Sequence, residues 1–234
     1  MAKVLAVLSN GYTNEEHNYV TGWWAEELFA PALELEKQGH TVDLASIDGG
    51  KPIVDPISLS SEYDPDGRYK KQYDSGLADK TTSIVNVKAS DYNAIMIVGG
   101  HGAMFDLAHN EDLHAVINII YELGGIVSAV CHGPAPLVYT KTKEGRALLE
   151  GLKVTGYPNA KEPKEVTDLL PFSLEDELTT IATYHEEKDH DAYVVWGNKQ
   201  ILTGRDPQSS ELFGRELANK LTQREQQTEA ALLD

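Results

Sequence analysis

One cysteine, Cys131, occupies the place in this chain where a nucleophile would be useful. It ends the apolar run Ile126–Val130 and is followed by His132-Gly133-Pro134. The pattern predicts a buried strand, then a tight turn, then a helix starting at Pro134, since proline suits the first helical turn. Such a connection lifts a side chain above the carboxyl edge of a parallel sheet, where ligands of open α/β folds bind. It resembles a nucleophile elbow with sulfur in place of oxygen. A helix start beside the sulfur favours negative charge and is expected to lower the thiol pKa. The competing reading is an inert buried cysteine, and the His-Gly-Pro that follows argues against it.

A second glycine-rich exit, Ile97-Val98-Gly99-Gly100-His101-Gly102, leaves the preceding strand on the same edge. Its glycines let backbone approach a ligand, and its N–H groups, with the one after Cys131, suit a developing oxyanion. Alone it reads equally as a glycine-rich turn. It is neither a dinucleotide fingerprint nor a P-loop. Glu27 lies in the helix after the first strand, on the side of Trp23, Trp24 and Pro31. A carboxyl against tryptophans is desolvated and its pKa rises toward that of a general acid or base, whereas its neighbour Glu26 reads as an ordinary exposed helical glutamate. Pro31 is expected to kink that helix. Glu162 follows Val154–Lys161 on a loop, and nothing local distinguishes it from a surface glutamate.

The elements that must position these residues alternate. Val4–Leu8 and Thr41–Ile47 read as strands flanking a helix over 21–38, and Ala94–Val98 and Ile126–Val130 as buried strands flanking a helix over Asp112–Leu123. This is the signature of a parallel sheet covered on both faces. Residues 49–89 break the pattern with Pro52, Pro56, Pro65 and Gly76 and read as an insert with a short helix around 68–74, suited to a lid, a dimer contact or a plain surface loop. Further on, 143–149, 163–170 and 174–182 read as helices, Lys153–Thr155 as a strand, and 193–196 with 200–203 as a hairpin. Ser209–Gln226 reads as a long amphipathic helix before a fraying polar tail.

The chain has 234 residues, 41% of them hydrophobic, enough for one α/β domain with a sizeable core. A net charge of −17 makes nucleic acid and anionic membranes poor partners. A lone cysteine excludes an intrachain disulfide. The N-terminus carries no signal-peptide pattern and no apolar run is long enough to span a bilayer, so a cytoplasmic location is expected. The histidines include no HExxH or other recognised metal spacing. His185-Glu186-Glu187 with His190 reads as a solvated loop.

Taken together, residues 98–107 (VGGHGAMFDL), 129–135 (AVCHGPA), 155–162 (TGYPNAKE), 172–178 (PFSLEDEL), 197–204 (GNKQILTG) and 207–210 (PQSS) resemble the PfpI superfamily, and within it the short heat-shock-protein-31-like glyoxalase III branch. The resemblance runs from the first strand to the last helix. It implies a flavodoxin-like three-layer sandwich with a mostly parallel sheet, and a glutathione-independent glyoxalase that turns methylglyoxal and water into lactate with neither a metal nor an organic cofactor. By position it implies Cys131 as nucleophile, His132 and Glu162 as the rest of the catalytic set, and Glu27 as the helix glutamate touching the cysteine. The amides of Gly100 and His132 would bind the oxyanion and His101 would sit at the pocket wall. The partners implied are a small dicarbonyl substrate and a second copy of the chain in a homodimer. Two departures stand out: Pro136 replaces a small residue, and Trp23 and Trp24 are bulky enough to narrow a pocket. The same superfamily implies as alternatives protein deglycation, peptide hydrolysis or amidotransfer, or a non-enzymatic role as holdase chaperone or redox sensor; with no synthetase domain read in these residues, amidotransfer is not expected.

Overall fold

The computed structural model describes residues 1–187 and 191–231. A hydrophobic strand, β1 (Lys3–Leu8), is followed by a small antiparallel hairpin, β2 (Tyr12–Asn14) and β3 (Tyr19–Thr21), and then by helix α1 (Ala25–Lys37). The expected helix over 21–38 thus begins four residues late. Tyr12–Asn14 and Tyr19–Thr21 pair instead, turned by Asn18 at φ 48°, a conformation asparagine tolerates. The hairpin is tied down by Thr21, whose hydroxyl donates to Asp55 at 2.7 Å. Strand β4 (Thr41–Ser46) follows, then the segment 49–89, which holds α2 (Arg68–Asp74) where a short helix is expected and the edge strand β5 (Thr82–Ser83). Then come β6 (Ala94–Ile97), a single π-helical turn over Ala103–Leu107, α3 (Glu111–Glu122), β7 (Ile126–Val130) and the short α4 (Ala135–Tyr139). The remainder is β8 (Lys153–Val154), α5 (Lys164–Thr167), α6 (Leu174–Ile181), β9 (Thr183–Tyr184), the hairpin β10 (Val194–Trp196) and β11 (Ile201–Gly204), and α7 (Ser210–Ala231).

The main sheet has seven strands in the order β10-β11-β7-β6-β1-β4-β5, all parallel except β10. Its strands alternate sides, as the period of two requires. Val4, Ala6 and Leu8 of β1 join the core under α1 and α7 with Leu28, Leu35, Phe213 and Leu217, while Leu5 and Val7 join the core under α3 and α4 with Leu113, Ile117 and Leu137. This is the expected three-layer α/β sandwich. Chain order reverses at β1, with β4 on one side and β6 on the other, so the carboxyl ends of β1, β6 and β7 form the crevice at a topological switch point. Among the described residues no helix is long and apolar enough to cross a membrane.

One expected helix is absent. Residues 143–149 form no helix: the Thr142 amide donates to Arg146 and Lys141 bridges antiparallel to Ala147, with Gly145 turning at φ 77°. The strand at 153–155 exists but pairs with β9 outside the main sheet. The last helix runs on to Ala231, past the expected 226; the tail beyond it, like His190, lies outside the described residues. Trp23 does not line an opening. It is fully buried, edge-on to Phe29 with centroids 5.7 Å apart.

Helices α1 and α7 pack tightly against each other at Gly214 and Pro31. A Cβ built on Gly214 would stand 2.4 Å from the Pro31 Cα. Gly214→Ala is therefore expected to force the helices apart and to cost about 1–3 kcal/mol, read as a lowered urea midpoint with an unchanged slope.

Candidate active site

Cys131 leaves β7 at φ 61°. Its amide donates to the Gly204 carbonyl at 3.0 Å, its carbonyl accepts from the Tyr157 amide at 2.9 Å, and Gly133 closes the turn by donating to Val130 at 2.7 Å. The side chain is 3% exposed. The expected strand–cysteine–turn–helix connection is therefore present, held by two neighbouring segments and by its own turn.

Glu27 reaches the sulfur from α1. Its side chain is fully buried, and Oε2 accepts from the Gly99 amide at 2.8 Å. The carboxyl lies close enough to the Cys131 thiol to interact with it, while Oε1 has no hydrogen-bond partner. Burial pushes the carboxyl well above the usual range, so at neutral pH it is held as the acid. Gly99 and Gly100 make this approach feasible. A Cβ on Gly99 would lie 2.5 Å from Glu27 Oε2, and one on Gly100, at φ 94°, would lie 2.3 Å from the Gly22 carbonyl oxygen.

On the other side of the sulfur stands His132, with Nδ1 3.3 Å from Sγ. Its Nε2 is 2.9 Å from Glu162 Oε2, and Nε2 of His101 is 2.6 Å from Glu162 Oε1. Burial, and then His101, lower the His132 pKa to about 4, against the pull of Glu162. Burial raises Glu162, but hydrogen bonds from the two imidazoles outweigh it and hold the carboxyl at about 2. An ionised carboxylate only accepts. Both Nε2 atoms must therefore carry the protons, and Nδ1 of neutral His132 presents a lone pair to the Cys131 thiol. Nδ1 of His101 in turn accepts from the Tyr19 hydroxyl at 2.9 Å, a phenol that burial keeps protonated.

The expectation of a thiol acidified by the following helix is overturned. Helix α4 has only five residues. Burial, and then Glu27, push the Cys131 thiol well above its ordinary value, against a hydrogen bond from the Gly100 amide. The resting sulfur is a thiol with an acceptor already in place. Among the described residues the amides of Gly100 and His132 donate to no backbone carbonyl, and Gly100 turns its N–H to the Cys131 sulfur instead; amides of this kind suit a developing oxyanion.

All six residues singled out from the sequence, Glu27, Gly100, His101, Cys131, His132 and Glu162, thus come to one edge of the sheet. His101 does more than line a wall, since it shares the Glu162 carboxylate. Missed from the sequence are Tyr19, in a hairpin whose last residue, Thr21, reads as a helix start, and Asp206. Buried Asp206 binds Lys161 at 2.7 Å, beside Arg205 and Ser209, and so pins the loop that carries Glu162. The LysGlu pair at 161–162 was the available signal. His101, His132 and Glu162 also place three potential metal-ligand atoms within 4.8 Å of one another. Cavities of about 610 and 390 Å³ lie elsewhere, one beside Asn93 and Arg224, the other beside Arg146 and Asn198.

Residues 20–220 match the DJ-1/PfpI family. Glyoxalase 3 of Candida albicans is 32% identical over 90% of this chain and 94% of its own. Glutathione-independent glyoxalase HSP31 of Saccharomyces cerevisiae is 33% identical over 61% of this chain and 62% of its own. The crystal structure of glyoxalase III from Candida albicans superposes with a TM-score of 0.83 at 27% identity, covering 94% of this chain and 97% of that one.

The protonation pattern has a direct readout. Below pH 6.5 an unfolded histidine takes up a proton that folded His132 refuses until about pH 4. The unfolded state binds more protons across that window, so this ring costs stability as pH falls through it. In a histidine NMR titration His132 is expected to stay neutral through pH 6.5 and to titrate near 4; an ordinary midpoint would contradict the neutral Nδ1 acceptor.

Proposed function

The chain belongs to the DJ-1/PfpI family, and we propose that it is a glutathione-independent glyoxalase that converts methylglyoxal and water to lactate with Cys131 as its nucleophile. The observation that carries the reading is the Cys131 thiol, held between Nδ1 of a neutral His132 and the buried acid of Glu27. The names of the relatives support the substrate class.

In this reading the thiol proton passes to His132 Nδ1 as the sulfur adds to the aldehyde carbon of methylglyoxal. The aldehyde oxygen, drawn toward the Gly100 and His132 amides, gains a proton and a hemithioacetal results. Glu162 remains anionic and supports the imidazolium formed in that step. A base then takes the C1 proton and a proton is delivered at C2 through an enediol. Glu27, once it has given its own proton to the substrate oxygen, is the base buried next to the sulfur. The product is a lactoyl thioester. Water attacks it, the thiolate leaves and is reprotonated, and lactate departs. Atoms balance with one water consumed, which places the reaction among the lyases. A sulfur only 3% exposed favours a small dicarbonyl over the side chain of another protein or a peptide.

The test is lactate formation from methylglyoxal by metal-free protein without glutathione. Cys131→Ser is expected to lower kcat/KM at least about 10³-fold, and Glu27→Gln about 10²- to 10⁴-fold. Glu162→Gln is expected to cost a similar factor, because its amide donates to one imidazole and enforces the wrong tautomer. Full activity in folded Cys131→Ser would overturn the nucleophile; no lactate from wild type with a reduced thiol would overturn the substrate.

A further inference from the structure

The His101–Glu162–His132 group carries a second binding capacity. Its three donor atoms converge from three different loops: the exit of β6, the exit of β7 and the loop ahead of α5. None comes from a common helical spacing, yet all lie within 4.8 Å of one another. Two imidazoles and one carboxylate are a borderline donor set that suits zinc and its neighbours over magnesium or calcium. We propose that His101 Nε2, His132 Nε2 and the Glu162 carboxylate form a binding site for one zinc-class divalent cation, and that occupancy of this site blocks the Cys131 nucleophile.

The argument rests on where the outer nitrogens point. A ligating histidine needs a lone pair on the nitrogen facing the metal and a hydrogen-bond acceptor for the N–H on the other. In the metal-free arrangement both Nε2 atoms are protonated toward Glu162, so each ring must move its proton to Nδ1. The group facing Nδ1 of His101 is the Tyr19 hydroxyl, and the group facing Nδ1 of His132 is the Cys131 thiol. Each can accept as well as donate. Tyr19 and Cys131 therefore each turn from donor to acceptor in the exchange. No net proton is lost from either ring in the exchange. Donors in a tetrahedral shell stand about 3.3 Å apart, so the ring nitrogens have to move by no more than about 1.5 Å relative to each other. The two rings already lie with centroids 4.5 Å apart.

The consequence for the sulfur follows from the same exchange. A cation on His132 Nε2 leaves Nδ1–H, not a lone pair, facing Cys131, and the acceptor for the thiol proton is gone. This blocking half rests on the glyoxalase reading; the binding half does not, and calorimetry separates them.

Metal-free protein is titrated with Zn²⁺ by calorimetry and with Co²⁺ by visible absorption. One equivalent is expected to bind, with Cys131→Ser binding the same single equivalent and Co²⁺ showing no sulfur-to-metal charge-transfer band. His101→Ala and Glu162→Gln should each weaken binding at least about 100-fold, and Tyr19→Phe, which removes the acceptor behind His101, about 10- to 100-fold. Zn²⁺ should abolish lactate formation and a chelator should restore it. If Glu162→Gln does not fold, His101→Ala decides alone. Absence of stoichiometric binding, retention of it in folded His101→Ala, or a sulfur charge-transfer band would each overturn the site. Stoichiometric binding that leaves lactate formation intact would overturn the blocking.

Discussion

The backbone at Cys131 is the constraint on which the site depends. A side chain other than glycine at φ 61° costs on the order of 1–3 kcal/mol and persists only where the surroundings over-determine it. Here they do. The main sheet holds the cysteine amide through Gly204, the loop at 157 holds its carbonyl, and the turn to Gly133 closes behind it. The turn throws the sulfur sideways from the end of β7 to where α1 supplies Glu27 and the next residue supplies an imidazole. An extended Cys131 would instead stand its sulfur perpendicular to the sheet, as a strand residue does. The folding energy of the sandwich thus maintains an orientation that the cysteine would not choose.

Around that sulfur two carboxyl groups are driven in opposite directions. Glu27 is buried and keeps its proton; Glu162 receives hydrogen bonds from His101 and His132 and loses it. Environment separates an acid from an anion, and the proposed roles follow this separation. The anion fixes the tautomer of His132, the tautomer fixes the lone pair on Nδ1, and the lone pair faces the thiol. Tyr19 completes the order by donating to His101, so every polar hydrogen in the line has a defined direction. Because the thiol is raised and not acidified, the proposed attack on substrate requires its proton to be transferred as the sulfur adds.

What was legible in the sequence is what is local. The apolar run into Cys131, the glycines after β6 and the alternation of elements are short-range patterns, and they predicted the sheet and its edge. Glu27 was legible in direction, since desolvation raises it, though its neighbours are Gly99 and the cysteine more than the tryptophans: Trp23 turned into the core. Glu162 was not legible from the residues. Its partners lie 61 and 30 positions away, and only family resemblance pointed to it. Tyr19 escaped because residues 15–18 separate two three-residue strands too short to carry an alternation. The helix at 143–149 failed for a related reason, as its apolar residues Leu148 and Leu149 serve the core from a turn held by Thr142 and Arg146. The acidified thiol failed because a one-turn helix is weaker than burial beside another acid.

The central claim, that Cys131 bonds the substrate carbon, is tested most directly by rapid acid quench of protein mixed with methylglyoxal, followed by mass mapping of the peptide carrying residue 131. The account predicts a transient adduct of one substrate mass on Cys131 that appears before lactate, accumulates further in Glu27→Gln and is absent in Cys131→Ser. Lactate formed with no adduct on that peptide, and formed equally well by Cys131→Ser, would contradict it.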